Sequence, residues 1–82
     1  MSNKLFVGNL PFSVNNQKLS EEFSKFGEVV SANIVMDKIS NRSKGFGFVE
    51  FTTLEAAQAA ISGMNEQELD GRKLTVSMAK KQ

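Results

Sequence analysis

The chain has 82 residues, 40% of them apolar and 23% charged, with ten Lys and Arg against nine Asp and Glu for a net charge of +1. That length suits one small domain over residues 1–82, which buries only about 60–65% of its chain surface on folding. With no cysteine and no histidine, disulfides and thiolate metal sites are excluded, and the commonest catalytic base and strongest nucleophile are missing.

Lys4 to Leu10 alternates as a strand, sending Leu5 and Val7 to one face and Phe6 and Gly8 to the other. Pro11 ends it, because proline cannot donate to a ladder. A helix is predicted over 16–26. Asn15 is its N-cap, Val14 and Leu19 have the spacing of a hydrophobic staple, and Phe12 packs beneath it. Leu19, Phe23 and Phe26 form its apolar stripe, and Gly27 takes the left-handed position that closes it.

Val29 to Met36 is β-branched and apolar, with Ala32, Ile34 and Met36 alternating against Ser31, Asn33 and Val35. The polar run from Asp37 to Ser43 is a loop, and Lys44 to Phe51 is the third strand. Thr52 or Thr53 caps a second helix. Thr52-x-x-Glu55 matches a capping box, and Ala57, Ala60, Ile61 and Met64 give the buried stripe. Asp70-Gly71 is a turn, followed by a last strand from Arg72 to Ala79 with Leu74 and Val76 inward and Thr75 and Ser77 outward. The order β-α-β-β-α-β predicts an α+β, ferredoxin-like fold: a four-stranded antiparallel sheet with two helices on one face and the other face open.

The third strand carries the strongest functional signal. Phe46 and Phe48 share a face with Lys44 and Glu50, while Gly45, Gly47, Val49 and Phe51 share the opposite, core-facing side. Two large rings on the polar side of a strand suit the flat surfaces of nucleic-acid bases. Cross-strand aromatic pairing contributes about 0.2–1 kcal/mol per pair, against about 1–3 kcal/mol for stacking of a base. Phe23, Phe26 and Phe51 follow the core pattern instead. Lys38, Arg42 and Lys44 lie between the second and third strands and Lys80 and Lys81 at the C-terminus, while Glu21, Glu22 and Glu55 lie on the helices. A basic rim and an acidic back are the expectation.

Lys44-Gly-Phe-Gly-Phe-Val-Glu-Phe51 and Leu5-Phe-Val-Gly-Asn-Leu10 resemble, at every position, the two ribonucleoprotein motifs of the RNA recognition motif family. The loop at Asp37 and the Leu69-Asp70-Gly71-Arg72 approach resemble that family too, and the chain as a whole is similar to its small bacterial and organellar members. The resemblance implies that the two motif strands lie side by side in the sheet. It also implies that Phe6 and Phe48 each stack on a base, that Phe46 packs against sugars or bridges neighbouring nucleotides, and that Lys44 contacts a phosphate. Asn33 and Glu50, on the open face, are candidates for hydrogen bonds to base edges. Lys38, Arg42 and Lys80 are candidates for phosphate attraction, and Ser77 continues the surface along the last strand beside Thr75 and Ala79. Asn9 is expected to fix the turn after its strand through local backbone bonds.

These readings converge on a single-stranded RNA-binding module in post-transcriptional regulation or RNA chaperoning, with no catalysis, cofactor or metal. Single-stranded DNA binding is one alternative, since stacking does not distinguish the sugars. A protein-interaction module on the same fold is the other. The chain is expected to be a soluble monomer, with room for a protein partner on the helices. No apolar run is long enough to span a bilayer, so it is expected inside the cell, in the cytoplasm before a nucleus or organelle.

Overall fold

The computed structural model describes residues 3–11, 13–36, 39–40, 43–69 and 71–79. The element order is β1 (Lys4–Gly8), α1 (Asn16–Phe23), a 3₁₀ turn (Ser24–Phe26), β2 (Val29–Met36), β3 (Ser43–Phe51), α2 (Leu54–Met64), β4 (Glu68–Leu69), β5 (Arg72–Lys73) and β6 (Thr75–Met78). β2, β3, β1 and β6 form one antiparallel sheet in that order, so the two motif strands occupy its centre. β1 and β2 run parallel with β3 inserted between them, the split βαβ arrangement and a ferredoxin-like fold.

Period-two alternation decides which side of the sheet the helices cover. Leu5, Val7, Val49, Phe51 and Val76 point to one side and are buried, and α1 and α2 close over them with Leu19, Phe23, Ala57 and Ala60. The Phe23 and Phe51 rings meet at 6.5 Å between centroids. Each such side chain contributes about 1.5–3 kcal/mol on full burial. Alanines along α2 keep that helix close to the sheet.

Local signals fix the helix ends. Asn15 is extended and its side chain accepts from the Lys18 amide at 2.8 Å, with Val14 and Leu19 both buried as a staple requires. α1 ends at Phe23 and tightens into the 3₁₀ turn, leaving Phe26 half-buried at the core margin rather than inside it. Gly27 is not left-handed. Its backbone is extended (φ 159, ψ −177), and a Cβ there would collide with Ala56 Cβ on α2. Closeness to α2, not a helix-closing turn, accounts for glycine at this position.

Of the two threonines expected to cap α2, the second does so, and the capping box does not form. Thr53 is the N-cap of α2, with Oγ1 accepting from the Ala56 amide at 3.1 Å. The Thr52 amide is engaged with the Glu28 carbonyl at 3.1 Å. Glu55 therefore lies within the first turn, favourably placed against the helix dipole but not in a capping box.

The predicted last strand is divided. β4 and β5 make a separate two-stranded hairpin around Gly71, and only β6 joins the main sheet. Leu74 is where the chain switches, because its amide donates to the Gln67 carbonyl (2.9 Å) and its carbonyl accepts from Glu66 (2.8 Å). Phe12 and Asp70 lie outside the described residues.

Both edges of the main sheet are blunted by asparagines. On β2, the Ile34 amide donates to Asn16 Oδ1 at 2.8 Å, and on β6 the Val76 amide donates to Asn65 Oδ1 at 3.0 Å. Asn16 opens α1 and Asn65 follows α2. Each helix thus supplies an acceptor to an outward-facing strand amide, which removes a template for edge-to-edge pairing.

Candidate nucleic-acid interface

The side chains of Phe6, Phe46 and Phe48 lie on the sheet face opposite the helices, and all three rings are half-buried. Phe6 pairs with Phe48 across β1 and β3. Ring centroids are 5.7 Å apart for Phe6 and Phe46, 5.9 Å for Phe6 and Phe48, and 6.4 Å for Phe46 and Phe48. The Phe6–Phe48 and Phe46–Phe48 pairs are edge-to-face, the arrangement favoured by the ring quadrupoles. Phe51 is buried on the other side, so the octamer divides as alternation predicts.

Register places the polar candidates around this cluster. Asn33 on β2, Phe48 on β3, Phe6 on β1 and Ser77 on β6 form one row across all four strands, with exposed polar groups at both ends. Ser31, Glu50 and Lys4 form the next row, and Phe46, Gly8 and Thr75 the row on the other side. The surface is an aromatic centre with hydrogen-bonding rims.

Two glycines shape it. A Cβ on Gly8 would stand 2.9 Å from Phe6 Cε2, so the missing side chain lets the Phe6 ring lie toward Phe46. A Cβ on Gly47, between the two β3 rings, would stand 2.5 Å from the Asn33 carbonyl oxygen and 2.9 Å from Ile34 Cα. β2 therefore runs tightly against β3 where it bulges, and only glycine fits.

Lys44 lies in β3, two residues before Phe46, while Lys38, Arg42, Lys80 and Lys81 lie outside the described residues. The back of the molecule is less acidic than its carboxylates suggest, because on α1 Glu22 is flanked at 3.5 Å by both Lys18 and Lys25. Among the described residues no three His, Cys, Asp or Glu side chains gather closely enough to hold a metal.

Sequence reasoning passed over Lys4 as a member of the open face. Its ammonium lies 5.3 Å from the Phe48 centroid, a cation–π contact, and it pairs in register with Glu50. The signal was present: Lys4 is two residues from Phe6 on the same strand. Asn9 also does something other than hold a local turn. At φ 60 its Nδ2 donates to the Lys73 carbonyl at 2.6 Å and its Oδ1 accepts from Arg72 Nη2 at 2.9 Å, tying the end of β1 to the hairpin.

Residues 5–75 match the family model for the RNA recognition motif. The chain belongs to the RNA recognition motif family. Its relatives include the chloroplastic small RNA-binding protein 11 of Arabidopsis thaliana, 52% identical over 98% of this chain; the chain spans 55% of that relative's length. Among solved members of the family, the crystal structure of RNA binding protein PG1 superposes with a TM-score of 0.93 at 38% identity, covering 99% of this chain and 98% of that one. The Rna15 RNA recognition motif with bound RNA (GU) superposes with a TM-score of 0.88 at 26% identity, covering 99% of this chain and 86% of that one. Both share the sheet and helix arrangement described above. For this RNA recognition motif, the two ribonucleoprotein motifs are the paired central strands β1 and β3.

Proposed function

We propose that this domain binds single-stranded RNA across the open face of its sheet. The observation that carries the reading is the cluster of Phe6, Phe46 and Phe48 on the side that no helix covers. In a soluble domain such rings have their use in stacking on unpaired bases. Phe6 and Phe48 each take a base, Phe46 meets the intervening sugars, and about two to four nucleotides cross the strands. Lys44, with Lys38, Arg42 and Lys80, draws and orients the phosphates. Asn33, Glu50 and Ser77 meet base edges along the rims. The act is binding without chemistry: no histidine or cysteine is available to serve as base or nucleophile. The names of the similar proteins, RNA-binding in plants and RNA-bound in Rna15, favour the same ligand.

The test is an NMR titration with an unstructured RNA hexamer, with the DNA hexamer of equal sequence alongside. Amide shifts should concentrate at Phe6, Phe46 and Phe48 and at their row partners Asn33 and Ser77. Shifts confined to α1 and α2 would contradict the reading. Equal affinity for the DNA would extend the ligand class to single strands in general.

A further inference from the structure

We propose that Glu50 and Lys4 select guanine as the base stacked on Phe48, a specificity that rests on the stacking function above. Phe6 and Phe48 are alike as rings but not in surroundings. Phe6 stands between Phe48 and Ser77, with Gly8 two residues after it on its strand and Lys4 two residues before. Phe48 stands between Phe6 and Asn33, with Glu50 two residues further along, and Glu50 pairs with Lys4 across the strands. The Lys4 ammonium already lies over the Phe48 ring at 5.3 Å. The Lys4–Glu50 row borders both rings, and the lean of the Lys4 ammonium toward Phe48 is what sets that stacking position apart.

Their chemistry is complementary. An ionised carboxylate accepts hydrogen bonds and cannot donate, and an ammonium donates and cannot accept. An unpaired base lying on Phe48 has its Watson–Crick edge open to these groups. Guanine carries two adjacent donors on that edge, N1–H and the N2 amino group, which a carboxylate accepts as two parallel bonds. Its O6 and N7 are acceptors that suit a lysine. Uracil sets a single donor between two carbonyls, which repel the second carboxylate oxygen. Adenine and cytosine set an amino donor beside a ring-nitrogen acceptor, with the same conflict. Asn33 both donates and accepts, so it accommodates any base and adds little discrimination. A carboxylate beside a polyanion weakens binding generally, and that cost is the repulsive element that gives selectivity.

The experiment is fluorescence anisotropy of the chain with labelled UUGUU, UUAUU, UUCUU and UUUUU at one salt concentration. The guanine pentamer should bind about tenfold tighter than the others, within the discrimination of a good bidentate pair. Inosine in place of guanine removes the N2 amino group and should erase most of that advantage. Glu50→Gln should reduce the guanine-to-uracil ratio to about twofold, and Lys4→Met should lower it as well. Glu55→Gln, on the exposed side of α2, should keep the full ratio. Equal binding of all four pentamers, or an unchanged ratio in Glu50→Gln, would overturn the inference and leave the stacking function standing. Failure to bind any pentamer would overturn both.

Discussion

The ring of Phe6 rests over Gly8: a methyl at position 8 would stand 2.9 Å from Cε2 and 3.2 Å from Cζ of the ring. Gly8 in turn pairs with Phe46. The bare backbone at position 8 is what allows the Phe6 and Phe46 rings to approach to 5.7 Å. Gly8→Ala should therefore displace the Phe6 ring while leaving the core intact. Stability should change by no more than about 1 kcal/mol, since alanine suits a strand interior better than glycine. RNA affinity should fall by about 1 kcal/mol, part of the stacking contribution of one base. Thermal melts and binding isotherms on the same preparations separate the two effects.

Gly27 tests packing on the opposite side. A Cβ there would collide with Ala56 on α2, and relief requires a shift of the helix rather than of a flexible side-chain end. Gly27→Ala should cost about 1–3 kcal/mol of stability, as overpacking of a tight contact does. Denaturant unfolding measures the loss. RNA affinity of the folded fraction should be unaffected, because α2 is on the far side of the sheet.

The edge asparagines make a matched pair. Asn65→Ala leaves the Val76 amide without its side-chain acceptor, and Asn16→Ala does the same to Ile34. Each should destabilise by about 1–2 kcal/mol, the cost of a part-buried donor losing its partner. In hydrogen exchange, the amide of Val76 should lose protection in Asn65→Ala but keep it in Asn16→Ala. The reverse pattern is expected for Ile34.

Much of this fold and site is written in alternation. Period two separates Phe46 and Phe48 from Phe51, and the structure places them on opposite sides of the sheet. Leu19 and Phe23 are buried as their helical spacing requires. What local pattern does not carry is distance along the chain. Asn9 bonds to residues more than sixty positions away, and Asn16 and Asn65 serve strand amides that no spacing rule assigns to them. Gly27 was misread because a glycine after a helix satisfies the local rule, while its actual constraint is Ala56 on another element. Thr53 rather than Thr52 is the N-cap because its Oγ1 reaches the Ala56 amide, a difference that two adjacent threonines do not show in sequence. The single run from Arg72 to Ala79 split because Leu74 pairs back to residues 66–67.

Salt dependence tests the electrostatic share of binding. With three or four cations meeting phosphates, log affinity should fall with log salt at a slope of about −2 to −3, at roughly −0.7 per single-strand phosphate. Isotherms at four salt concentrations give the slope. Lys44→Met should make it shallower by about 0.7. A flat line would contradict any role for the cations.

The central claim is that one strand presents two kinds of phenylalanine, and Phe48→Ala against Phe51→Ala tests it most directly. Affinity for single-stranded RNA and free energy of unfolding are measured on both variants. Phe48→Ala should lose about 1–3 kcal/mol of binding, the contribution of one stacked base, and keep its cooperative unfolding. Phe51→Ala, truncating a ring that is 1% exposed in the core, should lose about 3–5 kcal/mol of stability. The account is contradicted if Phe48→Ala unfolds the domain, or if it stays folded and binds RNA as tightly as the parent chain.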